Sequence, residues 1–189
     1  MTFEETIVAG GVVVFPADTV YGLACDPESE TAVERLYTLK GRPPDKPAAV
    51  MFFAVEPALE AVVTGPRTRA ALRRLLPGGV TLLLPNPERR FPLACTTDPQ
   101  TLGVRVPFLA PVGRPLLQTS ANLAGGADAR RLEEVPESIR GGADLVIDGG
   151  ELPGVPSTVV DLRRPGEWSI VRQGAVSRDA VARALDRRR

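Results

Sequence analysis

The sequence predicts a single α/β domain built on a mixed sheet, and three observations carry that reading. Apolar, β-branched runs of strand length alternate with segments whose apolar residues recur at helical spacing. Some of those runs follow each other across a mere turn, too close for a crossover helix, so part of the sheet is antiparallel. At 189 residues, 43% of them hydrophobic, the chain can bury one substantial core.

Taken in order, residues 4–9 read as a short helix closed by Gly10-Gly11, and 12–15 as a buried strand stopped by Pro16. ADTVYGL crosses a turn and returns through residues 20–24. Asp26-Pro27 reads as an N-cap with proline at the first helical position; Val33, Leu36, Tyr37 and Lys40 follow at helical spacing, up to Gly41. A strand is expected at 48–54, helices at 57–63 and 66–76, and the strand VTLLL after Gly78-Gly79. Residues 85–100 read as a proline-rich loop, 102–106 as a strand, and 111–116 as a helix leading into LLQTSAN. The Gly/Ala/Arg-rich stretch 124–131 reads as a mobile lid. Strands are expected at 145–147, 158–162 and 168–172, and Ser177 caps a last helix with Val181, Ala184 and Leu185 on its apolar side. No repeat or linker interrupts residues 1–189, so they read as one domain.

Composition narrows the chemistry. The 23 acids balance 23 bases, so nothing global marks a nucleic-acid or membrane binder and any basic site must be local. Histidine is absent, which removes the commonest general base, Ser-His-Asp triads and HExxH zinc sites. GxxxxGK, GxGxxG and GxSxG are missing as well. Cys25 and Cys95 form no CxxC pair and fit a reducing cytoplasm better than a disulfide framework. The acidic N-terminus is no signal peptide, and the longest apolar run, 47–55, is too short to span a bilayer.

What remains is chemistry by positioned cations, hydroxyls and amides. The only two lysines, Lys40 and Lys46, flank Arg42 in LKGRPPDKPAAV. Two prolines limit that loop's freedom, so the three cations could converge on one anion; the competing reading is a solvated basic loop. Thr119, Ser120 and Asn122 in TSAN, Thr19 in DTVYG, and Ser157-Thr158 offer hydroxyls and an amide, or simply satisfy their own turns and strands. Arg105 and Arg172 sit amid apolar strand neighbours, where a buried arginine needs an anionic partner.

In this order, GGVVVFPADTVYGL, LKGRPPDKP, PGGVTLLL, LGVRVP, TSAN, PSTVVDL and IVRQGAV resemble the YrdC-like family, the L-threonylcarbamoyladenylate synthases of the TsaC type. Lys40-x-Arg42 followed by Ser120-x-Asn122 is that family's hallmark. The resemblance implies a twisted α/β fold with a large concave, positively charged cleft, in a short form without an extra C-terminal domain. It implies that L-threonine, bicarbonate (or CO2) and ATP give threonylcarbamoyl-AMP and pyrophosphate, for the threonylcarbamoyladenosine modification of tRNA. Mg2+ is expected to travel with ATP, with no metal ligand from protein side chains.

By the same resemblance, Lys40, Arg42 and Lys46 are catalytic, and Arg42, Lys46, Thr101, Asn122 and Arg172 bind ATP. Thr19, Arg105, Ser120 and Ser157 bind threonine, with Arg105 pairing its α-carboxylate, and Tyr21 shapes the pocket wall. The implied partners are the small-molecule substrates and downstream tRNA threonylcarbamoyl transferase proteins, with direct tRNA contact left open; a cytoplasmic location and no membrane are expected. Ala17, Met51 and Arg130 depart from the family's usual residues. The alternative is an RNA-binding module using the same basic cleft, which the zero net charge and the lack of an aromatic platform near the basic loop weaken.

Overall fold

The computed structural model describes residues 1–109 and 112–186. Helix α1 (Phe3–Val8) is started by Thr2, whose hydroxyl accepts the Glu5 amide while the Glu5 carboxylate accepts the Thr2 amide. Strands β1 (Val13–Pro16) and β2 (Tyr21–Cys25) pair antiparallel across residues 17–20. Helix α2 (Glu30–Lys40) begins at Ser29, whose Oγ accepts the Ala32 amide at 3.3 Å, and not at Asp26. Asp26 accepts the Glu28 amide instead, an Asx turn that uses the same side-chain chemistry one step earlier. Gly41, at φ 60°, closes the helix in a left-handed conformation open to glycine without a Cβ clash.

Strand β3 (Ala49–Met51) is shorter than the apolar run around it, because residues 52–54 leave the ladder to enter α3 (Val55–Glu60). Helix α4 (Pro66–Leu75) and strand β4 (Val80–Pro85) follow as the sequence predicts. The stretch 85–100 is not all loop. It contains a short helix, α5 (Pro92–Cys95), organised by the buried Asn86, whose side chain holds the backbone of Arg90 and Pro99.

After β5 (Thr101–Arg105) comes β6 (Leu116–Ser120), and the helix expected at 111–116 does not form. Pro111 lies outside the described residues, a bend at 113–114 leads on, and Leu116-Leu117 are drawn into the ladder between β2 and β3. Sheet pairing overrides local preference there. Helix α6 (Glu137–Gly142), which ends in two weak helix formers, gave no periodic signal. Strands β7 (Leu145–Val146), β8 (Thr158–Asp161) and β9 (Ser169–Arg172) precede α7 (Arg178–Leu185), which Ser177 caps as expected.

Among the described residues, all nine strands join one twisted mixed sheet in the order β7-β1-β2-β6-β3-β5-β4-β8-β9. The pairs β1/β7, β3/β5 and β4/β8 are parallel and the rest antiparallel. On the central strands the side chains alternate between faces. Leu82, Leu84, Leu102, Val104, Leu117 and Val160 point to one side and are at most 1% exposed, packing with Leu36, Leu59 and Leu72 in the main core. A smaller cluster around Ile7, Val13, Phe15, Met51 and Leu116 covers the other side near α1. The rest of that second face, through Thr81, Thr101, Gly103, Arg105, Gln118 and Ser120, opens into a cleft. Among the described residues no helix is long and apolar enough to cross a membrane.

Candidate active site

The cleft encloses about 510 Å³ over the centre of the sheet. Lys40, Arg42, Lys46, Thr101, Arg105, Ser120, Asn122, Ser157 and Arg172 all line it, so segments spread over 130 positions meet in one place. Thr19 stands directly behind Arg105, and its Oγ1 accepts from Nη2 at 2.7 Å. A second hollow of about 510 Å³ adjoins through shared Asp98 and Thr101, but apart from Thr101 it holds none of the site residues the resemblance implies.

Lys40 differs from expectation. It is 3% exposed, and its ammonium donates to Ser120 O and Asn122 O, both at 2.7 Å, and to Asn122 Oδ1. Three oxygens use its three protons, so none is left for a phosphate chain. Asn122 in turn accepts from Ser120 Oγ at 2.7 Å and donates to Gly126 O, while the Ala124 amide returns to Lys40 O. Lys40 is therefore the staple that gives the Ser120-x-Asn122 wall its shape. Burial draws its ammonium down to about 8, with the nearby Arg42 charge adding to the shift.

Arg42 braces its own loop: its guanidinium donates to Lys46 O at 3.2 Å and to Pro47 O, and it lies 5.6 Å from the Tyr37 ring centroid. Tyr37 Oη also donates to Lys46 O at 2.8 Å, and Thr96 and Thr97 hydroxyls donate to Asp45 O. The result is a held loop with the exposed Lys46 at its tip, where the ammonium has no protein acceptor among the described residues. Across the cleft, Arg172 donates to Ser157 O at 2.8 Å, and Ser157 Oγ lies 2.8 Å from Thr81 Oγ1. Gly174 lets this corner close, since a Cβ there would stand 2.1 Å from Pro156 O.

Arg105 is 4% exposed and reaches the β1–β2 turn through Ala17 O, Asp18 and Thr19, with Gln118 Oε1 at 3.4 Å on the other side. Burial pulls its guanidinium below the ordinary arginine value, and the Asp18 carboxylate opposes that. Of the departures, Met51 packs in the smaller apolar cluster away from the cleft lining, and Arg130 pairs with Glu151. The stretch 124–131 contributes Ala124, Gly125, Gly126 and Asp128 to the cleft wall. Asp98 and Asp128 line the cleft, but no group of three or more carboxylate or cysteine side chains converges among the described residues.

Tyr21 does not form the cleft wall. It is fully buried, its hydroxyl lying 3.0 Å from Asp148 Oδ1 and 2.9 Å from Gly150 O and accepting the Gly149 amide at 3.0 Å. Strand alternation sends it to the core side, where it hooks the 148–150 turn. Tyr21→Phe is expected to lower stability by about 2 kcal/mol, as buried partners lose their hydrogen bonds, read as a lower urea midpoint at unchanged slope. An unchanged midpoint would remove the hook. Thr81 and Gln118 escaped the sequence reading; only the every-second-residue pattern of LLQTS points Gln118 toward Ser120.

Residues 5–174 match the family model of Sua5, YciO and YrdC, described as telomere recombination. Mouse threonylcarbamoyl-AMP synthase is 39% identical over 183 residues, covering 88% of this chain and 63% of the mouse protein. Threonylcarbamoyl-AMP synthase of Vibrio vulnificus is 32% identical over 182 residues, covering 90% of this chain and 95% of the bacterial one. The crystal structure of P. abyssi Sua5 complexed with L-threonine aligns at TM-score 0.84 and 30% identity, over 96% of this chain and 56% of that one. The chain thus spans less than two thirds of the mouse and archaeal proteins.

Proposed function

Because the chain belongs to the Sua5, YciO and YrdC family, we propose that it is an L-threonylcarbamoyladenylate synthase, a nucleotidyltransferase that joins L-threonine, bicarbonate or CO2, and ATP. One observation carries the reading most. Four cations from three separate segments, Arg42 and Lys46, Arg105, and Arg172, border one concave face with the hydroxyls of Ser120 and Ser157. Both cysteines lie buried outside that lining, where burial raises their thiols above the ordinary value and leaves no thiolate nucleophile.

The chemistry asks for such a surface. The threonine amine adds to CO2, a C–N bond forms and a proton leaves, giving a carbamate. A carbamate oxygen then bonds to the α-phosphorus as the bond to pyrophosphate breaks. Nucleophile and target are both anionic, so fixed positive charge and close placement supply the rate. Arg42 and Lys46 face the phosphates, Arg172, Thr101 and Asn122 hold the nucleotide, and Arg105 takes the threonine carboxylate beside Ser120, Ser157 and Thr19. Lys40 keeps Ser120 and Asn122 in place. With two separate carboxylates in the cleft, Asp98 and Asp128, Mg2+ enters as part of the ATP substrate and offsets charge on the leaving pyrophosphate. The product then passes to a tRNA threonylcarbamoyl transferase.

The test mixes protein, ATP, L-threonine and bicarbonate and follows pyrophosphate and an adenylate product. Release of pyrophosphate is expected only when all three substrates are present. RNA binding without threonine-dependent pyrophosphate would place the protein among RNA-binding modules instead.

A further inference from the structure

Arg105 uses its donors unevenly. A guanidinium offers two forks to a carboxylate, Nε with Nη2 and Nη1 with Nη2, and both include Nη2. Here Nη2 carries two protons but faces three oxygens: Ala17 O at 2.8 Å, Thr19 Oγ1 at 2.7 Å and Asp18 Oδ1. All three come from the turn between β1 and β2. Nε, by contrast, is buried without an acceptor, and Nη1 reaches only Gln118 Oε1 at 3.4 Å. A buried donor with no partner is costly, and this one belongs to a residue that lines the cleft. An incoming carboxylate that takes either fork must therefore displace one of the three oxygens at Nη2.

The three are not equally displaceable. Ala17 O is backbone and also accepts the Thr19 amide at 2.9 Å. Thr19 is 6% exposed, its backbone held by the Gly154 amide. Asp18 has a side chain 13% exposed, so it has a way to water, and it alone bears the same charged group as an amino-acid ligand. Its backbone also sits at φ 66°, a region uncommon for residues with a Cβ.

We propose that Asp18 is an internal carboxylate that holds Arg105 until the amino-acid substrate arrives and is then exchanged for the substrate's α-carboxylate, so that Asp18 sets how tightly the amino acid binds. The proposal rests on the threonine reading of the cleft. Asp18→Asn keeps the shape, and Asp18→Gly suits the left-handed backbone; both remove the competing charge.

The experiment measures L-threonine binding to the full chain by calorimetry and by the shift in melting temperature, without ATP. Both variants are expected to bind threonine roughly tenfold more tightly than the parent, the loss of one competing charged hydrogen bond. Threonine amide, which lacks the carboxylate, is expected to bind all three proteins alike. Sodium acetate is expected to raise the melting temperature of Asp18→Gly more than that of the parent.

Folded variants that bind threonine no better, or worse, overturn the exchange and leave Asp18 as a fixed brace for Arg105. Should neither variant fold, a crystal of the parent protein soaked in threonine decides: Asp18 off Arg105 is the expected result, and Asp18 still on Nη2 overturns it. A parent protein that binds no threonine at all removes the synthase reading together with the proposal, whereas threonine binding with unaltered variants removes the proposal alone.

Discussion

Lys40→Met is expected to abolish threonine-dependent pyrophosphate release and to lower stability by about 3 kcal/mol, because it strips a buried cluster of its only charged donor. The methionine fills the stem's place in the core, but Ser120 O, Asn122 O and Asn122 Oδ1 lose their shared partner. Asn122 is then free to turn from Gly126, and the wall that carries Ser120 loosens. Lys40→Arg is no rescue, since a planar fork cannot place three protons on three oxygens that converge on one point. Urea unfolding and the pyrophosphate assay read the two effects separately. A Lys40→Met protein with parental stability and rate would show that the buried ammonium neither holds the Ser120-x-Asn122 wall nor serves the reaction.

The same ammonium predicts a pH dependence with two signs. Its value in the folded chain, about 8, lies below that of an ordinary lysine, near 10.4 in an unfolded chain. As pH rises through about 8 the folded protein loses a proton that the unfolded chain still holds, so linkage adds stability across that window and removes it as pH falls back. The rate moves the other way, because a neutral amine leaves one of the three oxygens without a donor. An alkaline fall in rate near pH 8, with no matching fall in stability, is the expected pattern.

Lys40 also shows what the sequence could and could not say. Val33, Leu36, Tyr37 and Lys40 share one helical stripe, and the first three are buried. That spacing already placed Lys40 on the inner face, whereas Arg42 and Lys46 lie beyond Gly41 on the loop. Proximity in the chain joined the three cations; helical phase separates them into a staple, a brace and a tip. Strands rich in valine and leucine were legible for the same reason, because alternation and β-branching are local properties. The sheet order was not: β7 lies beside β1 although Leu145 and Val13 are far apart in sequence, and no local pattern encodes that partner. Tyr21 was misplaced because DTVYG reads as a site motif, while register with Pro16 turns its ring inward.

Arg105→Lys is expected to raise the KM for threonine about 10- to 100-fold while the protein stays folded, the cost of losing charged hydrogen bonds that a single ammonium cannot replace. The substitution keeps a positive charge in a site that is 4% exposed, so Asp18 retains a counter-ion and the β1–β2 turn retains an anchor. What disappears is the fork. One ammonium near Ala17 O, Asp18 and Thr19 has at most three protons, and those oxygens already claim them. A substrate carboxylate that displaces Asp18 then gains a single ammonium proton in place of the two-pronged fork. Because the cations proposed to face ATP, Arg42, Lys46 and Arg172, lie on other segments, the ATP requirement is expected to move far less. Steady-state rates against threonine and against ATP, measured on the same preparation, separate the two. If the threonine dependence is unaltered, Arg105 serves the turn and not the ligand, and its buried, unpartnered Nε must be explained within the fold itself.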